Sequence, residues 1–181
     1  MSKMVTPKVQ GAFLNLKDAK IAPGGDEDSA KFGLTIVLPQ DDAWWKELNA
    51  KIKEVAKEKF GKIPAKCVLP VKDGDDTDYP EFEGMFTANV ASKRRPEIVG
   101  RNRKPIIDID DIGSGDYFRV SLVPYAWTFS DQGLTRRGVS LSLSNVMWVG
   151  ESGERWDGST SADSDFADIE EEDGDADDLL D

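Results

Sequence analysis

The sequence predicts a mainly β domain, a small antiparallel five-stranded barrel with one substantial helix, followed by a disordered acidic C-terminal tail. Three observations predict it. Segments of alternating apolar and polar residues recur along the chain, whereas a single stretch carries a helical stripe. Their order is unlike a repeating βαβ unit, which favours a barrel decorated with a helix. The last nineteen residues, Asp163 to Asp181, hold eleven Asp or Glu and no Lys or Arg. Of 35 acids in the chain, removing those eleven leaves 24 against 23 bases, so all but one unit of the net charge of −12 belongs to the arm. A balanced module followed by a self-repelling run reads as a domain over 1–150, a linker over 151–161 and a disordered tail over 162–181. Ordering the tail would cost about 1–2 kcal/mol per residue in backbone entropy, with little apolar surface to offset it.

Val5 to Leu16 reads as the first strand, with Pro7 and Gly11 marking an edge or a bend. Ile21 to Ala30 is turn-rich. Lys31 to Leu38 alternates, with Phe32, Leu34, Ile36 and Leu38 on one face, and Pro39 stops it. Asp41 or Asp42 can cap a helix over Ala43 to Phe60, where Trp45, Leu48, Ile52, Val55 or Ala56, and Phe60 form one apolar stripe. Gly61 ends it, and Glu47 and Lys51 are spaced to pair on its outer face. Gly61 to Pro80 is irregular. Its Asp73, Asp75, Asp76 and Asp78 fail the EF-hand pattern, lacking Gly at the sixth position and Glu at the twelfth, so they read as a solvated loop. Strands resume over Gly84 to Ser92, Asp116 to Phe129 and Thr135 to Val149, the last two joined by a hairpin turn at Ser130 to Gly133.

With no histidine in the chain, His-based triads and Cys/His zinc sites are excluded. The lone Cys67, beside Val68 and Leu69, forms no internal disulfide and suits a reducing compartment. The start, Met1 to Met4, lacks the apolar stretch of a secretory signal, and the run Leu34 to Leu38 is far too short to span a membrane. A soluble intracellular protein without a membrane role is expected.

Lys93 to Lys104 concentrates the positive charge: Lys93, Arg94, Arg95, Arg101, Arg103 and Lys104 stand against the single acid Glu97. Pro96 and Gly100 break the run into a loop or short extended pieces. Guanidinium groups on such a loop fork onto phosphates and stack on bases, which makes this an anion-binding surface in a nearly neutral domain. The strand that follows has a core face of Phe118, Val120 and Leu122. Its other face runs Tyr117, Arg119, Ser121, Val123, Tyr125, Trp127 and Phe129. Opposite, Ser140, Ser142 and Ser144 leave room for bases to lie flat on those rings, as in single-strand binding without sequence readout. Two readings of Tyr125, Trp127 and Phe129 stand open: a stacking platform, or a second core under the helix if Pro124 shifts the register. Arg136 and Arg137 extend the basic surface, and Phe86 is a further stacking candidate. Asp108, Asp110 and Asp111 would have to converge from separate elements to serve a two-metal nuclease. Three acids in four residues read instead as a loop. No catalytic residue, metal or cofactor is expected.

Tyr79 to Gly84, Asn89 to Ile107, Gly115 to Tyr125 and Gly138 to Val146 resemble the single-stranded-DNA-binding proteins of tailed bacteriophages, over roughly residues 5 to 150. The most specific piece is SKRRPEIVGRNR, from Ser92 to Arg103, leading to Pro105. The resemblance implies an OB-fold that binds single-stranded DNA in phage replication or recombination, in the cytoplasm of the infected bacterial host. It implies contacts from Lys93, Arg94, Arg95, Arg101, Asn102, Arg103 and Lys104. It also implies a tail that meets phage or host replication and recombination proteins or competes with DNA. The tail's candidate residues are Asp163, Asp165, Phe166, Asp168, Glu170, Glu171, Glu172, Asp173, Asp175, Asp177, Asp178 and Asp181. Such tails often finish on an aromatic, whereas this one ends Leu179-Leu180-Asp181 with Phe166 well inside. Stacking and phosphate contacts serve RNA as well as DNA, and only contacts to the 2′-hydroxyl separate them. The rival from another class is an acidic interaction or DNA-mimic protein whose tail binds a basic host enzyme.

Overall fold

In the computed structural model, which describes residues 3–106, 108–152, 155–156, 165–166 and 168–169, the strand segments assemble into one sheet that curls on itself. The eight strands among the described residues are β1 (Met4–Val5), β2 (Val9–Lys20), β3 (Lys31–Pro39), β4 (Val71–Asp73), β5 (Met85–Ser92), β6 (Glu97–Val99), β7 (Tyr117–Asp131) and β8 (Leu134–Gly150). Five of them close a ring in the order β7-β2-β3-β5-β8, with β8 pairing back to β7. Of the ring's five joins two are long and antiparallel, two are thin, and the antiparallel β2–β3 join is interrupted by register shifts. β7 and β8 pair from Tyr117↔Gly150 to Asp131↔Leu134, and β3 and β5 from Phe32↔Ser92 to Pro39↔Met85. β2 meets β7 only at Val9↔Phe118 and Gln10↔Tyr117, and β5 meets β8 only at Val90↔Leu141 and Ala91↔Ser142.

The β5–β8 join is parallel, as is β6 on β8, while the other pairings between the named strands are antiparallel, as a mostly antiparallel barrel requires. Where β5 and β8 diverge, the segment running into β4 fills the gap. Val68 bridges to Gly138 on β8, and Val71–Asp73 pair with Phe86–Ala88 on β5. The expected first strand is two. Thr6 leaves the ladder to exchange bonds with Val120: its N–H donates to the Val120 carbonyl, and its hydroxyl accepts from the Val120 N–H, both at 2.9 Å. Pro7 then separates β1 from β2.

Val9, Leu34, Ile36, Val90, Phe118, Val120, Leu122, Val139, Leu141 and Val146 fill the ring. Helix α1 (Trp44–Phe60) covers it with Trp45, Leu48, Ile52 and Ala56, packing against β7 and β8. The Trp45 indole N–H donates to the Pro39 carbonyl at 3.0 Å, so its ring is buried without an orphan donor. Asp42 accepts from the Trp44 N–H at 2.9 Å, and Gly61 ends the helix in the left-handed region at φ 76°. The anticipated Glu47–Lys51 pair is replaced by Lys51–Glu54 at 3.3 Å.

Beyond β8 the chain stays attached past residue 150. Arg155 donates to the Asp111 carbonyl at 2.8 Å, the Trp156 N–H donates to the Ser114 carbonyl at 3.0 Å, and the Trp156 ring packs edge-on to Phe82 at 5.9 Å. Part of the expected linker is therefore docked on the domain. The expected disorder of residues 162–181 lies outside the described residues, apart from the exposed Asp165, Phe166, Asp168 and Ile169.

Candidate nucleic-acid interface

The β2–β3 join is irregular at two places, between Ala12 and Asn15 and between Asn15 and Lys20, and the first of them shapes the site. Ala12 faces Thr35 and Asn15 faces Gly33, so three steps on β2 match two on β3, a one-residue bulge. The bulge changes which residues of β2 face inward: Val9 before it and Leu16 after it both reach the core, although one number is odd and the other even. Phe13, at the bulge, has φ 49° and stands 51% exposed on the outside of the sheet.

Around that ring lies a groove of about 600 Å³ across the outer face of β2, β3 and β5. Small and polar residues line its β3 and β5 side: Gly33, Thr35, Thr87, Asn89 and Ala91. A Cβ at Gly33 would overlap the Val90 carbonyl oxygen, so only glycine permits this approach. The Thr35 hydroxyl donates to Asn89 Oδ1 at 2.6 Å.

Phe13, Tyr79 and Phe82 form an aromatic wall, with centroids 5.4 Å apart for Phe13–Tyr79 and 5.2 Å for Tyr79–Phe82. The acidic loop before β5 sets this wall in place. Asp73 accepts from the Asp75 N–H and from Gln40, and Asp75 accepts from the Gly84 N–H at 2.8 Å. These carboxylates staple the loop instead of gathering round an ion. Among the described residues no group of three or more His, Cys, Asp or Glu is placed to hold a metal. Asp108 caps the Asp110 N–H, and Asp110 pairs with Lys17 at 3.0 Å. That hydrogen bond and charge raise the Lys17 ammonium pKa above its usual value.

Cations collect at one end of the groove. Lys20 faces Lys31 across β2–β3, and Phe32 faces Ser92 across β3–β5, which brings Lys93 and Arg94 to the same end. Among the described residues none of these four makes an ion pair. Arg95 is fixed differently. Its guanidinium lies 4.8 Å over the Phe32 ring and donates to the Lys17 carbonyl at 2.7 Å.

The structure thus splits the basic stretch at β6. Arg101, Asn102, Arg103 and Lys104 form the tip of a small braced hairpin. The Gly100 N–H donates to the Lys104 carbonyl, the Ile106 N–H to the Ile98 carbonyl, both at 3.0 Å, and Arg103 sits at φ 64°. Arg101, Asn102 and Lys104 line a separate cavity of about 770 Å³ with Asp108, Asp111, Trp148 and Glu151.

The other predicted residues lie elsewhere. Phe86 points into the core, its ring edge-on to Trp45 at 5.7 Å, because it shares the inward face of β5 with Ala88 and Val90. Tyr117 carries the Lys8 ammonium 4.5 Å above its ring. Arg119 is exposed opposite Met147. Pro124 causes no register slip. The irregularities fall at Tyr117/Phe118 and Ser121/Leu122, and the even residues of β7 keep the core side. Tyr125 therefore stands outside, bordering α1 beside Val55 and Glu58. The Trp127 indole N–H donates to the Ser140 hydroxyl at 2.8 Å. Arg136 faces Phe129 near the hairpin tip, while Arg137 lines a hollow with Lys59 and Lys62.

Sequence reasoning missed Phe13, Tyr79, Phe82 and Trp156 as neighbours. The signal for Phe13 was present: the alternation of Val9 to Leu16 changes phase there.

Solved structures share this fold. The single-stranded DNA-binding protein from bacteriophage Enc34 superposes with a TM-score of 0.69 at 21% identity, covering 92% of this chain and 90% of that one. The same phage protein in complex with ssDNA gives 0.67 at 22% identity, covering 84% and 88%. Gp2.5, a single-stranded DNA-binding protein encoded by bacteriophage T7, gives 0.62 at 18% identity over 96% and 97%. Among curated proteins nothing matches. The family model of the Enterobacter phage Enc34 ssDNA-binding protein matches residues 2–179, and the chain belongs to that family.

Proposed function

We propose that this chain binds single-stranded DNA without sequence readout, in the groove across β2, β3 and β5, during phage DNA replication or recombination in the infected cell. The carrying observation is a groove that unites an aromatic wall and a floor of small residues with Lys20 and Lys31 at one end, where Lys93 and Arg94 follow β5, none of the four in an ion pair among the described residues. Rings supply stacking for any base, and cations release counterions from the phosphates they neutralise. The hairpin tip from Arg101 to Lys104 is a second phosphate contact. No histidine, metal group or nucleophile–base pair is called on, and the protein acts by binding. The acidic tail contacts replication or recombination proteins.

Titration with fluorescent oligo-dT and a matched duplex, at low and moderate salt, tests this. Trp156 packs on Phe82 at one edge of the aromatic wall and reports occupancy. Tight, salt-sensitive binding to oligo-dT over the duplex, with tryptophan quenching, is expected. No binding, with the tail present or removed, overturns the reading and turns attention to a basic protein partner.

A further inference from the structure

Phe13 is the point in the groove where the backbone departs from its preferred range. A bulky residue at positive φ is an outlier for an L-amino acid, since Cβ crowds its own backbone there. Two observations set its purpose. Half of its side chain is exposed, so burial does not compensate for the strain. Its register position is a one-residue bulge, whose effect is to re-aim a side chain out of the ladder. The ring makes T-shaped contacts with Tyr79 and Phe82, at interplanar angles of 70° and 80°. Beside it the groove is lined by Gly33, Thr35 and Ala91, which leave space for a planar group.

We infer that Phe13 is a stacking residue of the groove, held there by a strained bulge, and that it carries the groove's preference for unpaired bases. The inference rests on the function proposed above and names the side chain that discriminates. A single strand can turn a base face onto the ring. In a duplex both faces of each internal base are already covered by neighbours, so the ring gains nothing.

The full-length chain with Phe13→Gly, Phe13→Ala, Phe13→Leu and Phe13→Tyr tests it. In an ordinary strand Ala is more stable than Gly. At this position the order of melting temperatures reverses, with the Gly variant above the Ala variant, because Gly alone relaxes at φ 49°. Ala, Gly and Leu weaken oligo-dT binding by roughly 5- to 150-fold, the loss of about one stacked base, and leave duplex binding unchanged. Tyr keeps wild-type affinity. Phe13→Leu retains apolar cover over Phe82 but has no flat face, so it separates stacking from packing if the smaller variants fold poorly.

Wild-type affinity in the Leu variant overturns the inference while the groove reading stands. An Ala variant more stable than the Gly variant overturns the strained bulge. Failure of the wild-type chain to bind oligo-dT removes the functional reading itself, a result distinguishable from both.

Discussion

Lys93 and Arg94 allow a quantitative test of how the groove holds a phosphate backbone. Both are exposed, both sit just beyond β5 beside Lys31, and neither is in an ion pair among the described residues. Replacing both by Ala therefore removes two free cations at little expected cost to the fold, since exposed substitutions of this kind stay within about 0.5 kcal/mol. Each phosphate contact to a single strand contributes about 0.7 to the slope of log affinity against log salt. The double variant should flatten that slope by about 1.4, so a fourfold rise in salt weakens it about sevenfold less than wild type. Fluorescence anisotropy with oligo-dT at four or five salt concentrations measures the slope, and a melting curve controls for folding. An unchanged slope in a folded variant would refute the placement of DNA at this end of the groove. Arg95→Ala provides the contrast: its guanidinium covers Phe32 and holds the Lys17 carbonyl, so stability falls along with affinity.

Other perturbations separate the remaining claims. Tyr125→Ala and Phe129→Ala, on the outer face of the β7–β8 hairpin, should leave oligo-dT affinity within about twofold of wild type, since stacking one base is worth about 1–3 kcal/mol and neither ring lines the groove; a tenfold loss in either would move the strand to the hairpin. Deleting Ala162 to Asp181 should tighten DNA binding at low salt, with the gain shrinking as screening rises; equal affinities at low salt would dismiss competition by the tail. Asp116 is fully buried, and burial pushes its carboxyl pKa above the usual range despite bonds from the Gly113 N–H and the Trp148 indole and the nearby Arg155 charge. Because the folded pKa is the higher one, this group favours folding more as pH falls from that pKa toward the ordinary carboxylate value, and it opposes folding above it. Asp116→Asn should remove that part of the pH dependence in melting curves from pH 4 to 8, and an unaltered profile would count against it.

The helix and the β7–β8 hairpin were legible because their signals are local. Trp45, Leu48, Ile52 and Ala56 recur at helical spacing and are all buried, and Gln132 and Gly133 take the positive φ values of a two-residue turn. The basic stretch was equally plain as composition. Its division was not: β6 pairs with β8, some fifty residues away, and that pairing sends Arg101 to Lys104 to a different cavity from Lys93. Phe86 shows the same limit from the other side. The sequence offers it as a stacking candidate, and only the register of β5 against β3 turns it toward Trp45.

By itself the sequence determined the class of fold, the charge asymmetry between domain and tail, and the absence of histidine chemistry. Each follows from periodicity or composition, which are properties of neighbouring residues. Tertiary structure alone decided the groove. Phe13, the Tyr79–Phe82 turn and Trp156 come from three separate segments, and a one-residue bulge, a carboxylate-stapled loop and a docked strap bring the four rings within about 6 Å of one another in successive pairs. A binding surface of this kind is a sum of long-range contacts, and no local pattern encodes where those contacts meet.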